Sequence, residues 1–446
     1  MLKLEYRFRP SVVFTSLCWG CLLFVIEMFF VIAPITSSYI HMALVMLMAV
    51  GGAVCVFIRF PAQKIRLSFF LFAFIVFHAF LSLRAIMTGN ARSITDLLFY
   101  LSGLLLVFCA GSFRMNADQT EKLILRVLVY FGLFFSAGIF LQVMFTDLFL
   151  RYQLPLLSSD FRHSLRRQVE FHHMYTGWTS QTFATCINLM LGIYGALLSW
   201  ERTKKKRCLA SALVMLGAFL LTGKRGPLVF MMFAYFLTTV ALSGSFDKMI
   251  RIVWKYAVAV VVAAVGLILY VSTHASTSRN TIVRFMEMFN GTGINRGDMS
   301  NGRFELWGFA LELFCSNPLF GVGWRRYHEL ALIHLHEDIE AHNVYLQVLA
   351  ECGIFGLLLY MIPVISGLVF TFLYLKKMQN RRDSSIYRLM KLSLAVQLYF
   401  FFYAATGNTL YDYCAQICYY FVFAICMYAK NNSYLSWKEL KSWIKL

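Results

Sequence analysis

The residues of this chain best suited to chemistry are arginines and histidines gathered into a few polar segments. One segment is the turn Thr222-Gly223-Lys224-Arg225-Gly226. A second runs from Asn301 through Arg303, Arg325 and Arg326 to His342-Asn343, with Glu351 two helical turns further on. A third, RHSLRRQVEFHHM, covers Arg162 to Met174 and holds Arg166, Arg167, His172 and His173. A guanidinium offers a planar fork that grips two phosphate oxygens at once, and an imidazole exchanges a proton near neutral pH. These types point to an anionic ligand and a proton transfer. Ordinary loop ion pairs are the competing account for the arginines, as a helix-capping contact is for His342. His328, His334, His336, Glu337, Asp338 and Glu340 crowd the same region, and His334-x-His336 brings two imidazoles together. Tetrahedral zinc spacing is not otherwise met, so no metal is expected. Of the 11 cysteines, the Cys18-x-x-Cys21 pair falls in an apolar run without further ligands and reads as packing.

The elements that must position these groups are membrane helices. Hydrophobic residues make up 59% of the 446 and charged residues 14%, where a soluble domain would carry roughly a quarter charged. Mean hydropathy is +0.66. Apolar runs long enough to span recur near 12–33, 39–58, 68–86, 97–112, 123–146, 183–200, 208–222, 227–243, 254–273, 347–375, 390–406 and 413–429. The expected fold is therefore all-α: one integral membrane domain over 1–446 with about twelve spans. The run from Ser11 to Ile32 is of spanning length and lacks a small-residue cleavage site, so it reads as the first span and not as a signal peptide.

Lys3, Arg7 and Arg9, then Arg59, Lys64 and Arg66, then ERTKKKR (Glu201 to Arg207), the basic segment Lys376 to Lys391, and the tail lysines all fall on one side. By the positive-inside rule both termini are expected in the cytoplasm. The net charge of +19 is then chiefly an orientation signal and implies no nucleic-acid partner. On the other side Lys224 is the lone lysine among arginines. Two long loops lie there, 147–182 and 272–345, and long polar loops on one face usually carry function. In the second, Ser300 or Asn301 can cap a helix from Arg303 to Asn317-Pro318. Phe304, Leu306, Trp307, Ala310, Leu311 and Phe314 would form its apolar side, so that it lies along the interface. A Gly-rich phosphate loop is absent, which excludes an ATP-driven transporter. A secondary flippase or exporter remains the rival class, disfavoured by the absence of an internal repeat and by polar residues placed at the surface instead of mid-membrane.

The stretch NGRFELW…NPLFGVGWRRY…AHNVYLQVLAECGIFG, Asn301 to Gly356, resembles the signature of the O-antigen ligase and O-antigen polymerase superfamily. In that signature His342-Asn343 is followed, after nine residues, by Gly353-x-x-Gly356. The Thr222–Gly226 turn is similar to the family's small-residue–Arg–Gly turn between central helices, with Lys224 where serine is usual. The resemblance implies a bacterial inner-membrane enzyme without cofactor. It would move a glycan from undecaprenyl pyrophosphate to an acceptor hydroxyl, with inversion at the anomeric carbon. The implied partners are the undecaprenyl-pyrophosphate-linked donor, a glycan or lipid A–core acceptor, membrane lipids and a chain-length regulator. Such a site must neutralise the departing pyrophosphate and take a proton from the attacking hydroxyl. Lys224 and Arg225, beside an outward-facing helix start with Pro227 in its first turn, suit the pyrophosphate. Arg303 can reach the same anion, and Arg325 and Arg326 could add to it. His342 would activate or position the hydroxyl, Asn343 would orient the acceptor, and Glu351 would act from within the bundle. Arg166 and Arg167 would shape an acceptor pocket or touch lipid headgroups. Polymerase is preferred over ligase; the two share this chemistry and differ in their acceptor.

Overall fold

The computed structural model describes residues 69–89, 96, 116–152, 154–156, 159–172, 174–179, 182–258, 302–336 and 339–432. The expected spans near 12–33, 39–58 and 97–112, most of 254–273, and the basic tail lie outside the described residues, as does the loop start 272–301. Among the described residues every regular element is helical.

Among the described residues four helices are long and apolar enough to cross a membrane: α1 (Phe69–Thr88), α2 (Ala117–Met144), α5 (Thr182–Thr203) and α10 (Val344–Lys377). Helix α7 (Arg225–Ala241) is apolar but shorter. With α6 (Lys206–Leu221), α11 (Ser385–Tyr403) and α12 (Tyr413–Asn432) they form a bundle around one core that includes Phe77, Leu128, Tyr194, Tyr374 and Phe421. On α10, Leu358, Ile362, Ile365 and Val369 are exposed among the described residues at spacings of three and four, forming an apolar stripe along the helix. Helix α11, expected over 390–406, begins five residues earlier and is buried along most of its length. The charges it takes inside are paired at the end of the bundle where α2 starts. Arg388 grips the Glu121 carboxylate, Arg202 pairs with Asp118 at 2.5 Å and Glu121 at 3.4 Å, and Lys391 pairs with Glu201 at 2.5 Å.

The opposite end carries the irregular structure. The expected loop 147–182 holds two helices, α3 (Thr146–Tyr152) and α4 (Ser159–His172). Helix α4 forms because Leu165 and Val169, four apart, bury against Leu150, Leu154 and Tyr175. The expected helix at Arg303 is present as α8 (Arg303–Ser316), followed by α9 (Arg326–His334). Its cap differs from the expectation. Gly302, at φ 79°, occupies the N-cap position, and the expected caps Ser300 and Asn301 lie outside the described residues. Its buried face is also narrower, made of Leu306, Phe309 and Ala310, while Phe304 and Leu311 are exposed. A second layer of protein, α9, covers part of α8 through Tyr327 and Ala331, which selects the face that is buried.

Helix α10 is broken at Gly353, whose backbone sits at φ 66°, ψ −167°. In a regular helix the carbonyls of Ala350 and Glu351 would accept from Ile354 and Phe355. Here they accept from the N–H groups of Val322 and Gly323, each at 2.9 Å. Ile354 and Phe355 donate instead to the carbonyls of Pro318 (2.9 Å) and Leu319 (3.3 Å). The 318–323 loop is thus spliced into the helix and satisfies all four backbone groups that the break would orphan. Arg84 of α1 adds a bond to each of the Gly321 and Glu351 carbonyls at 3.3 Å. The two motif strings NPLFGVGW and ECGIFG are two halves of one backbone junction.

Candidate active site

The turn between α6 and α7 is tight because Gly223 adopts φ 73°, and a Cβ there would lie 2.5 Å from Met174 Cγ. Lys224 is the N-cap of α7, its side chain making no cap bond, and Arg225 is the first residue of the helix. The first-turn N–H groups and the positive end of the helix therefore stand beside two cations. The segment after α4 lies on this turn, with the Tyr175 N–H donating to the Leu221 carbonyl at 3.1 Å.

His342 approaches from the other side. Trp307 Nε1 of α8 donates to the Ala341 carbonyl at 3.0 Å, and the Ala341 N–H donates to Gln347 Oε1 at 3.0 Å. The Val344 N–H donates to the Ala404 carbonyl at 2.8 Å. Held on both sides, His342 takes the left-handed conformation, φ 52°. Its ring is half-buried, and Nδ1 lies 3.1 Å from Asn408 Nδ2. Burial, aided by the charges of Arg303 and Lys224 and opposed by Glu340, lowers its pKa from 6.5 to about 4. Lys224, Arg303, Glu340 and His342 thus share one electrostatic neighbourhood, although they come from three separate stretches of chain. Arg225, half-buried, is adjacent.

Other expected site residues are placed elsewhere. Asn343 is the N-cap of α10, its side chain accepting from the Leu346 N–H at 3.2 Å. Arg325 is 2% exposed and points into the protein. Its Nε donates to Asp96 Oδ2 at 2.7 Å, Nη1 to Glu340 Oε1 at 3.0 Å, and Nη2 to the Tyr411 carbonyl at 2.9 Å. Trp324 Nε1 shares Asp96 Oδ2 at 2.8 Å, and its ring stacks on Tyr411. Glu351 is buried in the same network, accepting from the Tyr327 N–H (3.2 Å), Gln347 Nε2 (3.3 Å) and the Tyr411 hydroxyl (2.9 Å). Arg326 is exposed, 3.9 Å from Glu329. Arg166 is exposed and pairs with Glu170 at 3.0 Å, while Arg167 is exposed on the same helix.

Asp96, Gln347, Asn408 and Tyr411 were not singled out by sequence. Gln347 stands four residues from both Asn343 and Glu351, a helical spacing that could have drawn attention to it. Asn408 and Tyr411 belong to the polar string GNTLYD between two apolar runs, and nothing local tells that string where it docks.

The lowered pKa carries a pH prediction. His342 stays neutral down through the range where an ordinary histidine charges. Any step that needs its free imidazole should therefore persist from neutrality to about pH 4 and fail as pH drops through that value. Lys224→Gln removes one of the cations that lower it, so the acid limb of the rate–pH profile should move up. The kcat/KM profile, which reports the donor-free enzyme, is the one to read: an acid limb near 6.5 in the wild type, or an unmoved limb in the variant, would contradict this electrostatic picture.

The described residues are helical throughout their regular elements, and their membrane-length apolar helices mark a membrane protein, with cations and a histidine gathered at one end of the bundle. Residues 210–361, from α6 to the middle of α10, match the family model described as O-antigen ligase. The match supports placing the chain in the O-antigen ligase and polymerase superfamily, with a glycosyltransferase-like activity on a lipid-linked glycan donor and an acceptor. It includes Lys224, Arg225, Arg303, Arg325, Arg326, His342, Asn343 and Glu351, and excludes Arg166, Arg167 and Asn408. No curated protein matches the chain.

Proposed function

We propose that the chain is a bacterial inner-membrane glycan polymerase. It transfers an undecaprenyl-pyrophosphate-linked glycan to the hydroxyl of a second glycan on the periplasmic face, with about twelve spans and both ends cytoplasmic. The carrying observation is that Lys224 and Arg303 act electrostatically on His342 beside the start of α7. In the reaction the bond from the anomeric carbon to the pyrophosphate oxygen breaks. The acceptor oxygen bonds to that carbon from the opposite face, and its proton passes to the imidazole. Lys224, Arg225, Arg303 and the helix start hold the leaving pyrophosphate, whose charge grows as the bond breaks.

Charge also couples donor to base. Burial first, and then the charges of Arg303 and Lys224, make the imidazole a weak base. A bound pyrophosphate offsets their charge and raises His342 towards its ordinary basicity, so the base strengthens when the donor is present. Arg325 and Glu351 serve in this reading as the buried brace beneath the site. The second reading is a ligase with lipid A–core as acceptor, and the match to the O-antigen ligase family model fits either.

The test is purified protein, without metal or nucleotide, given an undecaprenyl-pyrophosphate-linked repeat with or without lipid A–core. A ladder of lengthening lipid-linked glycan without the core is expected, falling by about 10²- to 10⁴-fold in His342→Ala. Product only with the core would establish the ligase. No product from either mixture, with active controls, would overturn the enzymatic reading and leave the exporter or flippase.

A further inference from the structure

We propose that Asn408 is the positioning residue of His342, fixing which imidazole nitrogen carries the proton and aiming the other at the acceptor hydroxyl. The inference rests on the reading of His342 as the proton acceptor.

The two side chains are 66 residues apart in sequence and 3.1 Å apart in the fold. Asn408 lies in the link between α11 and α12, and that link is held at several points. Its Ala404 carbonyl accepts from the Val344 N–H, two residues beyond His342, at 2.8 Å. The Asn408 carbonyl accepts from the Tyr411 and Asp412 N–H groups, each at 3.0 Å, which closes a turn. Tyr411 in turn gives its hydroxyl to Glu351 and its carbonyl to Arg325. Asn408 is therefore anchored to the same buried network that supports the start of α10, and its amide has little freedom relative to the ring. A ring held in this way by a second polar side chain has the orientation that a general base requires.

The hydrogen bonding chooses between two arrangements. With Asn408 Nδ2 facing the ring, Nδ1 accepts and the proton sits on Nε2, leaving no lone pair for the hydroxyl. In that arrangement Asn408 Oδ1 is buried without a hydrogen-bond partner. Turning the amide by half a revolution exchanges its nearly equivalent atoms. Oδ1 then accepts from Nδ1–H and the lone pair stands on Nε2, while Nδ2 takes the buried position that Oδ1 held; the proton-acceptor reading of His342 requires this arrangement. The same oxygen stabilises the imidazolium once Nε2 has taken the hydroxyl proton. The charged groups facing the ring are Lys224 from the α6–α7 turn, Arg303 from α8 and Glu340 from its own loop. Among the described residues none of these hydrogen-bonds the ring, so the choice of tautomer falls to Asn408.

The experiment uses full-length protein with ¹⁵N-labelled histidine, the His342 signals being assigned by their loss in His342→Gln. Wild type should show the Nδ1–H tautomer. Asn408→Leu, similar in size but without polar atoms, should shift His342 towards Nε2–H and lower kcat by about 10²-fold with KM little changed. Asn408→Asp keeps the acceptor and adds a negative charge, so it should retain Nδ1–H, recover part of kcat and move the acid limb of the rate–pH profile upward. If Asn408→Leu does not fold, Asn408→Asp and Asn408→Ser carry the same comparison. A wild-type Nε2–H tautomer, or a tautomer and pH profile unmoved by every Asn408 variant, would overturn the proposal. Undiminished activity in His342→Ala would instead remove the underlying reading, a failure separately visible because the tautomer measurement needs no turnover.

Discussion

Gly353→Ala is expected to abolish the folded protein or nearly so. A Cβ at this position would stand 2.3 Å from both the carbonyl carbon and the oxygen of Leu319, and 2.5 Å from the Phe320 nitrogen. All three are backbone atoms of a loop hydrogen-bonded on both flanks, so no side chain can rotate away. The backbone at φ 66°, ψ −167° lies in a region open essentially to glycine, which adds about 1–3 kcal/mol for an L-residue. Overpacking typically adds a further ~1–3 kcal/mol, and more where backbone must move. Gly321→Ala should behave alike, because its Cβ would lie 2.3 Å from the Glu351 carbonyl carbon. Gly308 supplies the control: it is helical, and an added Cβ meets nothing within 4 Å. The yield of monodisperse, detergent-solubilised protein and its thermal midpoint measure the effect. Wild-type values for Gly353→Ala would mean that the splice between the 318–323 loop and α10 does not exist.

Arg325→Met should cost about 3–5 kcal/mol of stability, the usual consequence of leaving one partner of a buried ion pair alone. Asp96 is fully buried against Arg325, and Glu340 and Glu351 stand in the same network, so losing the cation leaves neighbouring carboxylates uncompensated. Asp96→Asn should cost less, since Arg325 keeps Glu340 and the Tyr411 carbonyl. The double variant Asp96→Asn, Arg325→Met should be more stable than Arg325→Met alone, and this recovery separates a brace from a ligand-binding arginine. Thermal melts of the four proteins give the cycle. An Arg325→Met protein as stable as wild type but with a raised KM would mean that this guanidinium holds substrate after all, as its place in the motif suggests.

These expectations differ in how far the chain announces them. The apolar runs of α1, α2, α5 and α10 were legible because hydrophobic content over about twenty residues is a local property. The turn at Lys224-Arg225 and the His342-Asn343 pair were visible as motif residues, and their residue types told which chemistry they could do. Whether a given arginine faces a ligand or the interior was not legible. Arg325 and Arg326 are neighbours of the same type in the same loop, yet one is sealed against Asp96 and the other is exposed. The difference arises from the left-handed turn at Arg325, φ 63°, which sends consecutive side chains apart.

By itself the sequence determined that the chain is helical and apolar, that its cations and histidines cluster at a few turns, and which glycines its motifs contain. Tertiary structure alone decided what those pieces do together. It spliced the 318–323 loop into α10, which accounts for Gly321 and Gly353. It brought Lys224 and Arg303 to His342, set Asn408 against the ring, and buried Arg325 with Asp96. The physical reason is range. Hydropathy, propensity and residue chemistry act within a turn or two of chain. The backbone bonds that mend a broken helix, the ion pair that survives burial, and the charges that set a histidine's pKa all join segments tens to hundreds of residues apart.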